Sequence, residues 1–214
     1  VPERFYGSAN GAMLSPTATA TEVASGRFVD LVDPQPDDLL IDDVARGLAF
    51  TCRYGGQVRN YYSVAEHSVL VHDLLRWMGA TVQTCVAGLW HDAAEAYLGD
   101  LISPLKFALR EDAGESAYDV LSARFDDAIV ERFGLDPVAL ASEQVHLADL
   151  WALRIEARSL TASGGRHWRW PGDLPNDGHL PHSVDWFGHL GPDGSETLWR
   201  GRALAYAYPE GPRG

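Results

Sequence analysis

Between residues 38 and 160 the apolar side chains recur at spacings of three and four, a period that commits this stretch to helices packed through one face. Ile41, Val44, Ala45, Leu48 and Cys52 form the first stripe, which ends at Gly55-Gly56. The second opens with Ser63-Val64-Ala65-Glu66, the pattern in which a serine hydroxyl and a glutamate three residues on satisfy each other's orphan amides. At 100° per residue Val64, His67, Val71, Leu74 and Met78 share a face, so His67 is the polar member of an apolar stripe. A third helix is predicted over 84–98, stopping at Gly99. A fourth covers 115–133 with Val120, Leu121, Phe125, Ile129 and Phe133 inward and Gly134 as its terminator. A fifth begins near Pro137, a favoured first-turn residue, and continues past Leu160.

The flanks carry less order. Residues 1–26 are rich in Gly, Ser, Ala and Thr without periodicity and read as an N-terminal arm, while 27–32 alternates weakly and predicts a short strand, leaving room for an N-terminal β-hairpin. After Ser163 the chain turns to Gly, Pro, Trp and His; 164–196 reads as irregular, with a short helix around 196–206. The expected fold is therefore all-α, a helical bundle over 27–162 with a loop-rich C-terminal extension, 163–214, packed on it. A chain of 214 residues can bury a single core without disulfide or structural metal. Trp168, Trp170, Trp186 and Trp199 are expected to anchor the extension, and His167, His179, His182 and His189 to be solvated loop histidines.

A formal net charge of −13 excludes a general binder of nucleic acid polymers, whose phosphates demand a basic stripe. A small anionic substrate remains compatible, provided cations gather locally. Lys106 is the single lysine among sixteen arginines, and it follows the densest group of acidic and histidine residues. Cys52 and Cys85, each inside an apolar pattern, read as buried thiols of a reducing compartment, so the expected location is cytoplasmic. No apolar run approaches the roughly 18 residues of a membrane span, and the N-terminus lacks the order of a signal peptide.

The chemistry sits on three of the predicted helices. His91 and Asp92 are adjacent, Glu95 follows one turn later, and Gly99-Asp100 closes that helix. His67 on the second helix and Asp149 on the fifth, between Val145 and Ala152, also face inward. Buried singly, such groups would leave uncompensated polar atoms or charge costing several kcal/mol, so convergence on a shared cation is the economical arrangement. Two imidazoles and two carboxylates suit one divalent ion such as Zn, Mn, Co, Fe or Mg. Arg53, at the end of the first stripe, could equally satisfy terminal carbonyls there.

The order His67, His91-Asp92, Asp149 resembles the HD superfamily. The segments Cys52-Arg53-Tyr54-Gly55-Gly56, Tyr62-Ser63-Val64-Ala65-Glu66-His67-Ser68, His91 through Leu101, Pro104-Leu105-Lys106 and Ala148-Asp149 resemble the small 5′-deoxynucleotidases and the phage-type dATP triphosphohydrolases. The resemblance spans about 27–162. It implies an HD-domain bundle in which His67, His91, Asp92 and Asp149 hold the metal, with Glu95 handling water or the leaving group. It also assigns phosphate contacts to Arg53 and Lys106, and to Asp100 a place near the sugar or the reacting water. Tyr54 and Pro104 become candidates to sandwich a purine.

The expected activity is conversion of a deoxypurine nucleotide, a dATP-like triphosphate first, to its nucleoside. A 5′-deoxynucleotidase acting on monophosphates, including a sugar-modified one in a biosynthetic pathway, is the alternative, and a non-catalytic nucleotide-binding or metal-sensing module the second. The dinuclear members of the HD superfamily carry extra histidines between the His-Asp pair and the last aspartate; here that interval holds one, His146, so the resemblance implies a mononuclear site. By analogy with similar small HD proteins, a homo-oligomer is expected.

Overall fold

The computed structural model describes residues 17–110, 114, 116–170 and 190–207. It is mostly helical, with one small antiparallel sheet of two strands, β1 (Ala20–Glu22) and β2 (Phe28–Asp30), in which Thr21 lies opposite Val29. The strand expected over 27–32 is therefore half of a hairpin whose other half comes from the predicted arm; residues 1–16 of that arm lie outside the described residues. Val29 is fully buried and pins the hairpin to the core.

Helix α1 (Ile41–Phe50) leads through a tight turn at Arg53–Gly56 into α2 (Val64–Trp77). The capping box that opens α2 is present as the sequence predicts: the Ser63 hydroxyl accepts from the Glu66 amide at 3.1 Å, and Glu66 Oε2 accepts from the Ser63 amide at 3.3 Å. The single apolar stripe read from the sequence understates the burial of α2. Glu66, His67, Ser68 and His72 are buried beside Val64, Leu70, Val71, Leu74 and Leu75, because α2 packs against α1, α3, α8 and α9 at once.

The predicted helix over 84–98 is two helices, α3 (Val82–Trp90) and the single turn α4 (Glu95–Leu98). Between them, amides reach back three residues rather than four, from Ala93 to Trp90 and from Glu95 to Asp92. His91 Nδ1 lies 2.9 Å from the Gly88 carbonyl oxygen, the acceptor an unbroken helix would offer to Asp92. Gly99, at φ +76°, ends α4 as expected.

Helix α5 (Ser103–Arg110), not foreseen as a helix, buries none of its residues. α6 (Ala117–Phe133) starts at a second capping box, Ser116 with Asp119, and stops at Gly134 in the left-handed region. Phe125 and Ile129 are buried as expected, whereas Val120, Leu121 and Phe133 are half-buried. The helix expected to run from Pro137 past Leu160 is also two: α7 (Pro137–Leu140), capped by Asp136, and α8 (Glu143–Leu160), restarted by the Ser142 hydroxyl on the Val145 amide.

The helix expected over 196–206 is longer, α9 (Gly191–Ala207), and belongs to the core, lying against α1, α2 and α3. Trp199 anchors it, fully buried, with its indole N–H donating to the Leu89 carbonyl at 3.0 Å and its ring edge-on to Trp90. Trp168 does not act as such an anchor: it is 37% exposed and stacks on Trp170. Trp186, His179, His182 and His189 lie outside the described residues, and His167 is exposed. No described helix is long and apolar enough to cross a membrane.

The close approach of α1 to α4 requires a glycine. A Cβ at Gly47 would stand 2.8 Å from the Ala96 Cβ and closer still to the Ala96 carbonyl oxygen, which is rigid backbone. Gly47→Ala is expected to destabilise the fold by about 1–3 kcal/mol, read as a lower midpoint in denaturant at unchanged slope.

Candidate metal centre

His67 comes from the middle of α2, His91 and Asp92 from the break after α3, and Asp149 from α8. The fold brings one ligand atom each from His67, His91 and Asp92 within 4.8 Å of one another. His67 Nε2 lies 3.2 Å from His91 Nε2 and 3.4 Å from Asp92 Oδ2, while His91 Nε2 lies 3.2 Å from Asp92 Oδ2. Asp149 Oδ1 lies 3.1 Å from His67 Nε2 and 4.0 Å from His91 Nε2, next to that group of three but not within it. His146 is exposed on α8.

The tautomers follow from the outer contacts. His67 Nδ1 is 2.6 Å from Glu156 Oε1, and His91 Nδ1 faces the Gly88 carbonyl. A carboxylate and a carbonyl accept only, so both Nδ1 atoms carry hydrogen, and each neutral ring presents a bare Nε2 lone pair to the other. Two imidazole nitrogens and the Asp92 carboxylate thus aim electrons at one place that could hold a cation, with Asp149 Oδ1 beside them. Protons are one occupant. Burial and Arg53 oppose protonation of His67, yet Glu156, Asp149 and Asp92 outweigh them and hold its pKa well above the usual 6.5. Burial likewise opposes protonation of His91, and Asp92 beside it prevails. A divalent ion could take the place of those protons, and the donor set fits one.

Two proteins are similar to this chain over two thirds or more of their own length. The Rhodobacter capsulatus protein named "Uncharacterized protein RCAP_rcc00048" is 41% identical over 142 residues, 64% of this chain and 70% of its own length. The Escherichia coli K12 protein named "Uncharacterized protein YfdR" is 36% identical over 132 residues, 62% of this chain and 67% of its own. The chain belongs to the family of these two proteins. No family model matches it. Neither name brings a reaction with it, so any activity has to be argued from this site.

Around the cluster stand the other residues singled out from sequence. Glu95 opens α4 and is buried; Lys106 Nζ donates to its Oε1 at 3.0 Å, while Oε2 has no hydrogen-bond partner among the described residues. Burial, then the nearby charges of Asp92 and Asp100, push the Glu95 pKa up to about 8 despite Lys106. Asp92 moves the other way: burial alone would raise its pKa, but His91 and His67 hold it well below the usual carboxylate value.

Asp100 is half-buried just after Gly99, within electrostatic reach of Glu95, Lys106 and Arg53. Arg53 caps no helix: its Nε faces Glu156 Oε2 at 3.3 Å and its Nη1 faces Asp92 Oδ2 at 3.5 Å. Tyr54 sits at φ +59°, in the left-handed region that non-glycine residues rarely adopt, with its hydroxyl donating to Glu156 Oε2 at 2.6 Å and its ring 6.1 Å from that of Trp168. Pro104 is exposed at the start of α5.

Glu156 was missed from sequence, although a signal existed. It follows Asp149 by seven residues on α8, two helical turns, and so returns to the same face. Burial works to raise its pKa, but Arg53 and His67 pull it down to about 2.

The raised pKa values of His67 and His91 have a sign that can be checked. In metal-free protein their contribution to stability is complete below about pH 6.5 and is lost as pH rises through their folded values. A bound metal replaces those protons, so the gain in Tm on adding saturating Mn or Zn is expected to grow with pH, and metal titrations to release protons.

Proposed function

We propose that the chain is a metal-dependent phosphohydrolase of the HD type acting on a small deoxynucleotide, with a dATP-like triphosphate as first substrate and 5′-deoxynucleoside monophosphates as the alternative. What supports this reading is the group of His67, His91 and Asp92 acceptor atoms, with Asp149 3.1 Å from His67, beside a buried glutamate whose second oxygen has no partner among the described residues. The resemblance of these segments to the small deoxynucleotidases and dATP triphosphohydrolases supplies the substrate class. A divalent cation held by the four residues would polarise a phosphoryl oxygen and make nearby water more acidic.

The protein's own groups divide the remaining work. Arg53 and Lys106 offer fixed positive charge to phosphate oxygens, the electrostatic stabilisation that phosphoryl transfer chiefly needs. Glu95, with a pKa pushed up to about 8, exchanges a proton near neutrality and can take one from water or return one to the leaving oxygen through its free Oε2. Asp100 sustains that raised pKa by its charge. A non-catalytic nucleotide-binding module would have no use for a glutamate poised in this way.

Nucleoside mono-, di- and triphosphates assayed with Mn, Co and Mg decide among the readings. Tripolyphosphate released from dATP would mark attack at the α-phosphorus, whereas orthophosphate from dAMP without dATP turnover would favour the nucleotidase. Glu95→Gln is expected to lower kcat by about 10²–10⁴ while leaving metal content unchanged. Binding of dATP by metal-loaded protein with no turnover of any member of the panel would leave only a binding module.

A further inference from the structure

The side chain of Glu156 is completely buried and each of its oxygens meets two donors. Oε1 lies 2.6 Å from His67 Nδ1 and accepts from the Tyr62 hydroxyl at 3.2 Å; Oε2 accepts from the Tyr54 hydroxyl at 2.6 Å and from Arg53 Nε at 3.3 Å. Those four contacts use the lone-pair sites an ionised carboxylate has to offer. They also close a ring, because Arg53 Nη1 returns to Asp92 Oδ2 at 3.5 Å and Asp92 Oδ2 faces His67 Nε2 at 3.4 Å. A carboxylate that merely neutralised Arg53 would not need its shortest contacts to be with an imidazole and a phenol.

We propose that Glu156 is a positioning residue that ties the metal centre to the substrate-facing rim. With one oxygen it holds the His67 ring in the Nδ1–H tautomer, so that Nε2 points at the cation. With the other it fixes the Arg53 guanidinium and, through the Tyr54 hydroxyl, the turn Arg53–Gly56 in its left-handed backbone. Metal affinity and anion affinity therefore depend on the same carboxylate. This inference rests on the metal reading of the site, though not on which reaction it performs.

The test uses the full chain as wild type, Glu156→Gln and Glu156→Asp, with Mn or Zn as the metal probe and inorganic phosphate as the anion probe on metal-loaded protein. Calorimetry reads both affinities, and nitrogen-15 spectra of the histidines read the His67 tautomer. Glu156→Gln is expected to weaken metal binding by about 10- to 100-fold, to weaken phosphate binding in parallel and to lose the single Nδ1–H tautomer. Glu156→Asp keeps the charge that Arg53 requires but is one methylene short of four donors, so it should show a smaller loss of both affinities.

A folded variant with wild-type metal affinity and an unchanged His67 tautomer overturns the proposal, whatever its melting temperature, because a merely structural glutamate would alter only the latter. Loss of metal affinity with phosphate affinity intact overturns the link to Arg53. If the Gln variant does not fold, the Asp variant carries the same outcomes. Wild-type protein that binds no divalent metal overturns the centre itself; wild-type protein that binds metal and hydrolyses no nucleotide overturns the proposed reaction alone, and the affinities of the variants still decide the role of Glu156.

Discussion

Two imidazole nitrogens facing each other at 3.2 Å, each with its proton held on the far side of the ring, form the constraint around which the molecule is organised. Left alone, the pair would set lone pair against lone pair beside two carboxylates in a buried place. The arrangement is stable only with positive charge between its members, supplied by protons or by a metal. To create that place, the fold must bring α2, the break after α3, and α8 to one point, and the packing of α2 against α3 and α8 does so. Helices α1 and α9 also pack on α2, and the hairpin joins the same core through Val29.

The break in the helical run at His91–Ala94 is part of the same design. Neighbouring residues stand about 100° apart on an α-helix and about 120° apart in a turn bonded at i→i−3, so backbone rotation alone does not bring Asp92 to His91. The break instead leaves the Gly88 carbonyl to His91 Nδ1, which fixes the imidazole with its Nε2 3.2 Å from Asp92 Oδ2. It also restarts the helix at Glu95, whose buried position three residues on puts it beside the cluster and apart from the ligands. Asp92 and Glu95 are both carboxylates within one turn of chain. Imidazoles drive the first to ionise; apolar burial and like charge make the second hold its proton.

Kinship with the Rhodobacter capsulatus and Escherichia coli proteins places the chain in a family without placing it in a reaction. The acidic chain keeps its cationic contribution to the site small and local: Lys106 reaches in from a helix that is otherwise exposed, and Arg53 is held by Glu156 and Asp92. Those two cations are what the proposed small phosphate ester would meet there.

The sequence by itself determined whatever is encoded within a few residues. The capping boxes at Ser63 and Ser116, the stops at Gly99 and Gly134, and the helical class of the chain all follow from local hydrogen bonding and a 3.6-residue period. His67 was legible for the same reason, as a polar side chain in an apolar stripe. The tertiary structure alone decided where that periodicity is interrupted, at His91–Ala94 and again at Ser142, because helix breaks depend on which side chain captures which backbone group. It also decided that Trp199 rather than Trp168 fills the core, and that Glu156 is an interior charge rather than a surface one. A glutamate two turns from a ligand has the same sequence signature whether or not three donors from residues 53–62 and an imidazole from α2 close over it. Only the folded chain brings those distant segments together, and burial of the charge is tolerable only once they have met.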